Sequence, residues 1–324
     1  MRALLCKAFG PPETLVVEDL PSPTPGADEV VVTVKVAGVN FPDTLTIQNK
    51  YQFKPKLPFS PGQDIAGVIK EAGPGVSGFK VGDRVIANLT HGGFREEVAV
   101  QTSRLVPMRG GLDYENAASF CLPYTTSYHA LKDCANLQQG ESLLVLGASG
   151  GAGLAAVELG KLMGARVIAC ASTAEKLEVC RRYGADEVIN YETEDMRGRM
   201  KELVGEKGVD VTYDPVGGKY SEPALRSMAR KGRYLVVGFA AGPIPSFALN
   251  LILLKCCAVI GVRRGEFRLY EREVYDSNMR QLMDWIVAEK LRPLISARYS
   301  LERGAEAINA LMTRQVMGKV VIVM

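Results

Sequence analysis

An α/β fold in two parts is predicted: a β-rich opening domain, then a doubly wound parallel sheet. Three observations predict it. Between residues 141 and 262 short apolar runs alternate with helix-forming segments, the order that builds a parallel sheet with helices on both faces. Before residue 110 the apolar runs are short and broken by Pro and Gly, with few helical signals. At residues 142–162 a strand, a glycine cluster and a helix follow one another directly.

Taken in order, Met1-Arg2-Ala3-Leu4-Leu5-Cys6-Lys7 reads as a strand and not as a secretory signal. Strands are expected at 14–17, 30–37, 67–72, 84–88 and 95–100, separated by turns such as Pro21-Ser22-Pro23-Thr24-Pro25-Gly26. Together they suggest a small barrel or curled sheet. Composition changes after Pro107: a helical stretch opens at Tyr114, and a second at Pro123. Strands follow at 143–147, 166–171, 187–189, 209–214, 233–239 and 257–262, with helices between them at 152–163, 174–183, 193–205, 218–229 and 246–254. Right-handed crossovers make the parallel topology nearly obligatory. The tail carries helix 275–289, strand 295–299, helix 301–312 and strand 319–323, which reads as a return to the first domain.

A chain of 324 residues has room for about two domains. A net charge of +3, with no basic run interleaved with aromatics, argues against a nucleic-acid partner. No apolar run reaches membrane-spanning length. Seven cysteines without Cys-x-x-Cys spacing suit reduced thiols in a cytoplasmic enzyme and leave no structural zinc cluster. Cys121, Cys256 and Cys257 read as buried small apolar residues. The only histidines, His91 and His129, read as structural or solvated.

The glycine cluster is the sharpest signal. Gly147-Ala148-Ser149-Gly150-Gly151-Ala152-Gly153 contains Gly-x-x-Gly-x-x-Gly, one residue wider at the front than the usual dinucleotide fingerprint. A strand before it, a helix after it and a further strand beyond supply the setting of a pyrophosphate site. Gly147 and Gly150 are expected to adopt conformations closed to residues with a Cβ, and Gly153 to let the helix lie close on its strand. The helix start offers N–H groups and the positive end of a dipole to an anion. At the end of the next strand an NAD enzyme usually places an acid for the ribose hydroxyls. Here the residues are Ser172-Thr173-Ala174-Glu175-Lys176. A hydroxyl followed one turn later by a lysine suits a 2′-phosphate, so NADPH is the expected cofactor. The plainer alternative has Ser172 capping the helix and Lys176 solvated.

Motifs spread over almost the whole chain resemble the medium-chain dehydrogenase/reductase superfamily, in its zinc-free quinone oxidoreductase branch. They are Ala37-Gly38-Val39-Asn40-Phe41-Pro42-Asp43, Pro61-Gly62-Gln63-Asp64-Ile65-Ala66-Gly67, Val81-Gly82-Asp83-Arg84-Val85, the glycine turn, Tyr213-Asp214-Pro215-Val216-Gly217-Gly218 and Gly318-Lys319-Val320-Val321. The resemblance implies a GroES-like domain formed by residues 1–120 and 264–324, a Rossmann domain at 121–263 and a cleft between them. It implies that Ser172, Lys176 and Tyr191 form the 2′-phosphate pocket and that Thr126 turns its hydroxyl to the cofactor. It also implies a homodimer paired through the sheet edge at 257–262, an apolar edge that must be paired or covered. Zinc dehydrogenases of the superfamily carry Cys where this chain has Asn40, and Gly-His-Glu where it has Gly62-Gln63-Asp64. Neither Asn nor Gln is a convincing zinc ligand, and Asp64 alone cannot assemble a site, so no metal is expected. Easy alcohol oxidation, which needs a Lewis acid, is disfavoured with it.

Asn40, Asp43 and Tyr51 fall on the loop that resembles the family's substrate-side wall. Asn40 and Tyr51 are candidates to hydrogen-bond the nicotinamide edge or a quinone oxygen. Tyr51 is also a candidate proton donor, although an ordinary phenol pKa of about 10 makes it a weak acid. Asp43 fits either a loop-stabilising Asx turn or function. Thr126 fits either the cofactor or helix-start geometry, and Lys319 either the cofactor or an exposed lysine entering the last strand. Phe239 and Ala240 end the fifth strand of the sheet, where backbone groups reach a bound ligand. The expected cofactor contacts are thus Gly147, Ser149, Gly150, Gly151, Ala152, Gly153, Ser172, Lys176, Tyr191, Phe239, Ala240 and Lys319.

The expected activity is NADPH-dependent reduction of quinones or similar conjugated carbonyl compounds, with the nicotinamide held against the acceptor in a dry cleft. No side chain is forced into an acid/base role, which suits a product protonated from solvent. Two alternatives stand beside it. One is an enoyl or alkenal reductase in which a tyrosine such as Tyr51 delivers the proton. The other is a non-catalytic NADPH-binding protein with a structural or nucleic-acid role, against which the weak net charge argues.

Overall fold

A computed structural model describes all residues, 1–324. The opening stretch contains β1 (Arg2–Leu5), β2 (Val16–Asp19), β3 (Glu29–Val39), the short helix α1 (Phe41–Thr46), β4 (Asp64–Ala72), β5 (Arg84–Asn88), β6 (Glu97–Gln101) and β7 (Leu105–Pro107). Helix α2 (Tyr114–Tyr128) runs on into a π-helical turn, His129–Cys134. Then β8 (Ser142–Val145), α3 (Gly151–Leu162), β9 (Arg166–Ala171), α4 (Ala174–Arg182), β10 (Glu187–Asn190) and α5 (Met196–Val204) alternate. The alternation continues with β11 (Val209–Asp214), α6 (Ser221–Arg226), β12 (Met228–Val236), α7 (Leu249–Lys255) and β13 (Ala258–Gly261). Helices α8 (Arg264–Tyr270) and α9 (Arg272–Val287) precede β14 (Ile295–Ser300), α10 (Gly304–Met312) and β15 (Lys319–Val323).

These elements gather into two units, residues 1–122 with 286–324 and residues 123–285. In the first, a seven-stranded sheet runs β14-β15-β3-β4-β5-β7, with β6 also on β3. Strand β3 organises it. One edge pairs β4 along its length; the other is shared by β6 over residues 29–33 and β15 over residues 36–39. Register shifts at Val31/Val32 and Val34/Val36 bend the strand enough to serve two partners. Val30, Val32, Val34, Ile65, Ile69, Val85, Phe94, Val320 and Ile322 fill the core that this curl encloses.

The second unit holds a parallel sheet in the order β10-β9-β8-β11-β12-β13. From β8 the chain steps outward through β9 and β10, then crosses back to lay β11, β12 and β13 on the other side. The order therefore reverses between β8 and β11, where open α/β sheets bind ligands at the strand C-termini. Every residue of β8, and all of β9 but Arg166, is buried, as expected for strands covered on both faces. The expected α/β class and doubly wound sheet are what the chain forms.

Three expectations change. The helical stretches at Tyr114 and Pro123 are one helix with Pro123 inside it. Burial of Ala117, Ala118, Phe120, Cys121 and Tyr124 along the same helix outweighs the break that proline favours. The return to the first unit comes at residue 286, not 264. Helices α8 and α9 stay with the second unit because Phe267 stacks on His129 and Asn278 donates to Asp133. Cys121 is buried as expected, but Cys257 is half-buried and Cys256 exposed, in a left-handed residue that ends α7. No helix is long and apolar enough to cross a membrane.

Candidate active site

In the second unit the chain leaves β8 and turns at Gly147, with φ +57; a Cβ there would lie 2.6 Å from Val216 Cγ2. A left-handed backbone against a packed side chain requires glycine. Ala148 N–H donates to Cys170 O at 2.9 Å, tying the loop to β9, and Gly150 N–H donates to Gly147 O at 3.1 Å. Helix α3 lies so close behind that a Cβ on Gly153 would stand 2.3 Å from Gly147 O and 2.8 Å from Ala148 Cα. Gly153 does what the sequence implies.

Gly150 does not. Its φ of −78 and ψ of 168 are open to any residue, and a Cβ would meet only Gly147 O at 3.5 Å. Glycine here keeps the space in front of the helix start clear rather than relieving strain. No side chain caps α3, so the N–H groups of its first turn, at the half-buried Gly151 and Ala152, are offered to an anion. A twelve-residue helix with an uncapped start and a clear approach fits a dinucleotide pyrophosphate. Ser149, 5% exposed, lies within the turn.

Ser127 anchors α2 to this loop: its Oγ donates to Ala152 O at 2.9 Å and lies 2.8 Å from Tyr213 Oη. Thr125 Oγ1 accepts from Arg264 Nε at 2.6 Å. Thr126 sits between them, half-buried, far inside a helix that begins at Tyr114, so helix-start geometry does not account for it.

Strands β9 and β10 end side by side, Ala171 opposite Asn190, which makes Ser172 and Tyr191 neighbours. Tyr191 N–H donates to Ala171 O at 3.2 Å. Lys176 Nζ donates to Ser172 Oγ at 3.3 Å. The cap of α4 is Thr173, whose Oγ1 accepts the Lys176 N–H, so the capping alternative for Ser172 falls away. The Tyr191 ring leans on Tyr220, with centroids 4.2 Å apart.

Beyond β12, Phe239 and Ala240 lie against the turn after β11, where a Cβ on Gly217 would meet Phe239 Cδ1 at 2.9 Å. Ala240 N–H is committed to Pro215 O at 3.1 Å, so Ala240 has no N–H to offer a ligand. That turn is built on Asp214, which accepts from Val216 and Gly217 N–H at 2.8 Å and from Ser221 Oγ at 2.7 Å.

The first unit holds a buried polar cluster. Lys319 is 5% exposed, and its Nζ donates to Val39 O at 2.7 Å and to Asn40 Oδ1. It is not the exposed lysine that the entry to a strand suggested. Since an ammonium can only donate, the Asn40 oxygen must face Lys319. The Asn40 amide N–H groups then point to Asp64 Oδ2 at 3.1 Å and Gly38 O at 3.3 Å. Asp64 also accepts from Asn88 Nδ2 at 2.6 Å and Leu122 N–H at 3.1 Å. Asp43 accepts from the backbone N–H groups of Asn40 at 2.8 Å and Gly62 at 3.1 Å, which explains it structurally, although not as an Asx turn. Tyr51 is half-buried in the irregular loop between α1 and β4.

Two ionisations are displaced. Burial pushes the Asp43 carboxyl up to about 7, against the opposing pull of its two N–H donors and Lys319. Burial brings the Lys319 ammonium down to about 8, held from falling further by Asp64 and Asp43. With both N–H groups of Asn40 spent, only a second lone pair on its oxygen remains. Asn40 can therefore receive an N–H or O–H, but it cannot donate to a quinone oxygen as the sequence suggested. Nor does the cluster fit zinc: it contains no thiolate or imidazole, and the Asp64 carboxylate is already engaged three times. The signal missed in the sequence was a lysine heading the apolar run Val320-Val321-Ile322-Val323 and an aspartate heading Ile65-Ala66-Gly67-Val68.

The alcohol dehydrogenase GroES-like domain family matches residues 26–110, and the zinc-binding dehydrogenase family residues 151–288. The chain is 36% identical over 325 residues to the quinone oxidoreductase-like protein 2 homolog of Nematostella vectensis, covering 99% of this chain and 88% of that protein. A probable oxidoreductase from Mycobacterium abscessus superposes with a TM-score of 0.91 at 38% identity, covering 100% of this chain and 99% of that one. Escherichia coli quinone oxidoreductase complexed with NADPH superposes with a TM-score of 0.94 at 27% identity, with 100% of each chain covered.

Proposed function

The chain belongs to the medium-chain dehydrogenase/reductase superfamily, in its quinone oxidoreductase branch, and from that membership we propose a metal-independent reductase that passes hydride from NADPH to quinones or similar conjugated carbonyl compounds. The observation that carries this reading is the end of β9. There a hydroxyl and an ammonium meet at 3.3 Å beside Tyr191, with no carboxylate among Ser172, Thr173 and Ala174. Similarity to an NADPH-bound quinone oxidoreductase supports it.

When bound, NADPH supplies the hydride from C4 of its nicotinamide. The loop Gly147–Gly153 and the start of α3 receive the pyrophosphate; Ser172, Lys176 and Tyr191 receive the 2′-phosphate. Thr126 and the turn at Phe239 and Ala240 serve the nicotinamide end. Asn40, held by Lys319, accepts an N–H or O–H, and Tyr51 offers a hydrogen bond and a proton. A conjugated acceptor takes hydride without a Lewis acid, because its own carbonyl delocalises the incoming pair. That chemistry agrees with a cluster whose donor set does not suit zinc.

Steady-state NADPH oxidation with a panel of quinones, enals and enoyl thioesters tests the reading. Turnover is expected on quinones and is expected to survive chelation. Stoichiometric zinc whose removal abolished turnover would overturn the metal-independent part. Binding of NADPH without turnover on any acceptor would favour a non-catalytic protein, and turnover confined to enals or enoyl thioesters a double-bond reductase.

Association as a homodimer belongs to the same proposal. Strand β13 lies at the edge of the sheet, and in α7, the helix that precedes it, Leu249, Leu253 and Leu254 are 75–80% exposed. An unpaired apolar edge of this kind invites a second copy. Light scattering is expected to give a dimer for the wild type and a monomer for Val259→Lys, which puts a charge on that edge. A wild type that is monomeric at micromolar concentration ends the idea.

A further inference from the structure

The π-helical turn His129–Cys134 has no part in the hydride transfer proposed above. Within it Ala135 N–H reaches back five residues to Ala130 O at 2.9 Å. On an α-helix, residues five apart point about 140° away from each other. The wider turn brings Cys134 under His129. Cys134 Sγ lies 3.4 Å from His129 Nε2, and His129 Nδ1 lies 3.0 Å from Asp133 Oδ2. Asp133 is fixed in turn from α9, where Asn278 Nδ2 donates to it at 2.7 Å while Asn278 Oδ1 accepts from Lys132. The imidazole is stacked on Phe267 of α8, with centroids 3.7 Å apart and planes 12° apart.

The ring is therefore fixed in plane and in tautomer. Asp133 accepts a hydrogen bond from Nδ1–H, and Nε2 faces the thiol. A nucleophile, a base and a residue that orients the base stand in line. Of the seven cysteines, Cys6, Cys121, Cys170 and Cys180 are buried, Cys134 and Cys257 are half-buried, and Cys256 is exposed. Cys134 is paired with an imidazole, whereas the thiol of Cys256 donates to Leu253 O.

We infer that Cys134 is a covalent modification site for soft electrophiles of the α,β-unsaturated carbonyl class, with His129 as its base and Asp133 positioning His129. The Cys134 proton passes to His129 Nε2, and the sulfur forms a bond to the β-carbon of the electrophile. The C=C pair becomes an enolate, which takes the proton back from Nε2. The product is a thioether beside a neutral imidazole, with nothing oxidised or reduced. Burial disfavours the charged imidazole, but hydrogen bonds to Asp133 and Cys134 outweigh it and raise its pKa to about 9. The charged or titratable groups around it are Asp133, Cys134 and Lys132 of its own turn, Tyr128 of α2, and Arg264, Arg268 and Tyr275 about Phe267.

N-ethylmaleimide at limiting concentration, with peptide mass spectrometry to resolve the cysteines, tests this on the wild-type protein. At neutral pH Cys134 is expected to label faster than Cys256, although it is the less exposed of the two. His129→Gln is expected to slow Cys134 about tenfold at neutral pH, and Asp133→Asn to slow it less, with Cys256 unchanged in both. Cys134 labelling no faster than Cys256, failing to label in the folded protein, or keeping its rate in folded His129→Gln would each overturn the inference. If His129→Gln does not fold, the wild-type comparison decides.

Discussion

Lys319→Met is expected to destabilise the protein by about 3–5 kcal/mol, the usual cost of removing one partner from a buried charged cluster. The substitution keeps the volume of the side chain and removes its charge and donors. Val39 O and Asn40 Oδ1 lose their partner, and Asp43 and Asp64, 1% and 0% exposed, keep their carboxyls without a cation. Adding Asp64→Asn should recover part of the loss, because one uncompensated charge then goes; that coupling separates electrostatics from packing.

The pH dependence fixes the sign. Asp43 has a folded pKa of about 7 against an ordinary 3.8, so what it adds to stability is full at acid pH and is lost as pH rises through 7. Lys319 has a folded pKa of about 8 against 10.5, so its contribution is full at alkaline pH and is lost as pH falls through 8. The two groups together contribute least between 7 and 8, where both are charged. In Lys319→Met, Asp43 without its ammonium holds its proton to higher pH and is penalised over a wider range. The deficit against wild type should therefore widen above pH 7, measured as the denaturant midpoint across the range. A deficit that is flat with pH, or below about 1 kcal/mol, would mean that the cluster is not held together by this charge.

Lys176→Ala is expected to weaken NADPH binding by about tenfold to a hundredfold, since a hydrogen bond to a charged group is worth roughly 1.5–3 kcal/mol. NADH, which lacks the 2′-phosphate, should be nearly indifferent. Ser172→Asp should go further, repelling the phosphate of NADPH while offering NADH a partner for its ribose hydroxyls. The geometry favours a direct effect: Lys176 Nζ already reaches the hydroxyl of Ser172, and the capping of α4 rests on Thr173, so neither substitution removes a helix cap. Fluorescence titration of both cofactors against wild type and the two variants checks it. Equal losses for both cofactors in Lys176→Ala would make the lysine structural, and a wild type preferring NADH would sink the assignment.

The parallel sheet was legible in the sequence because its signals are local. Strand, glycine turn and helix fall within residues 142–162, and the close approach at Gly153 follows from that order alone. The reason for Gly150 was not legible: whether a glycine relieves strain or clears space depends on a φ that no spacing reveals. Pro123 misled because local propensity yields to the burial of its neighbours. The commitments of Asn40 were hidden for a different reason. Its partner Lys319 is 279 residues away and meets it only because β15 pairs β3 with Val320 opposite Val39. The π-helical turn left no trace in the pattern, so His129 read as an ordinary helical residue.

The pairing of β3 with β15 has a consequence for how the chain is made. β3 leaves the ribosome early, yet the residues that cover the second half of its edge and neutralise the cluster beside it are 319–323. At roughly 5–20 residues per second, translation of the intervening stretch takes on the order of 15–60 s. The second unit, continuous from 123 to 285, can fold during that interval, while the first waits with an open strand edge and an unpaired aspartate pair. The part begun first is closed last, and throughout synthesis its bare edge is the surface a nascent-chain chaperone would meet.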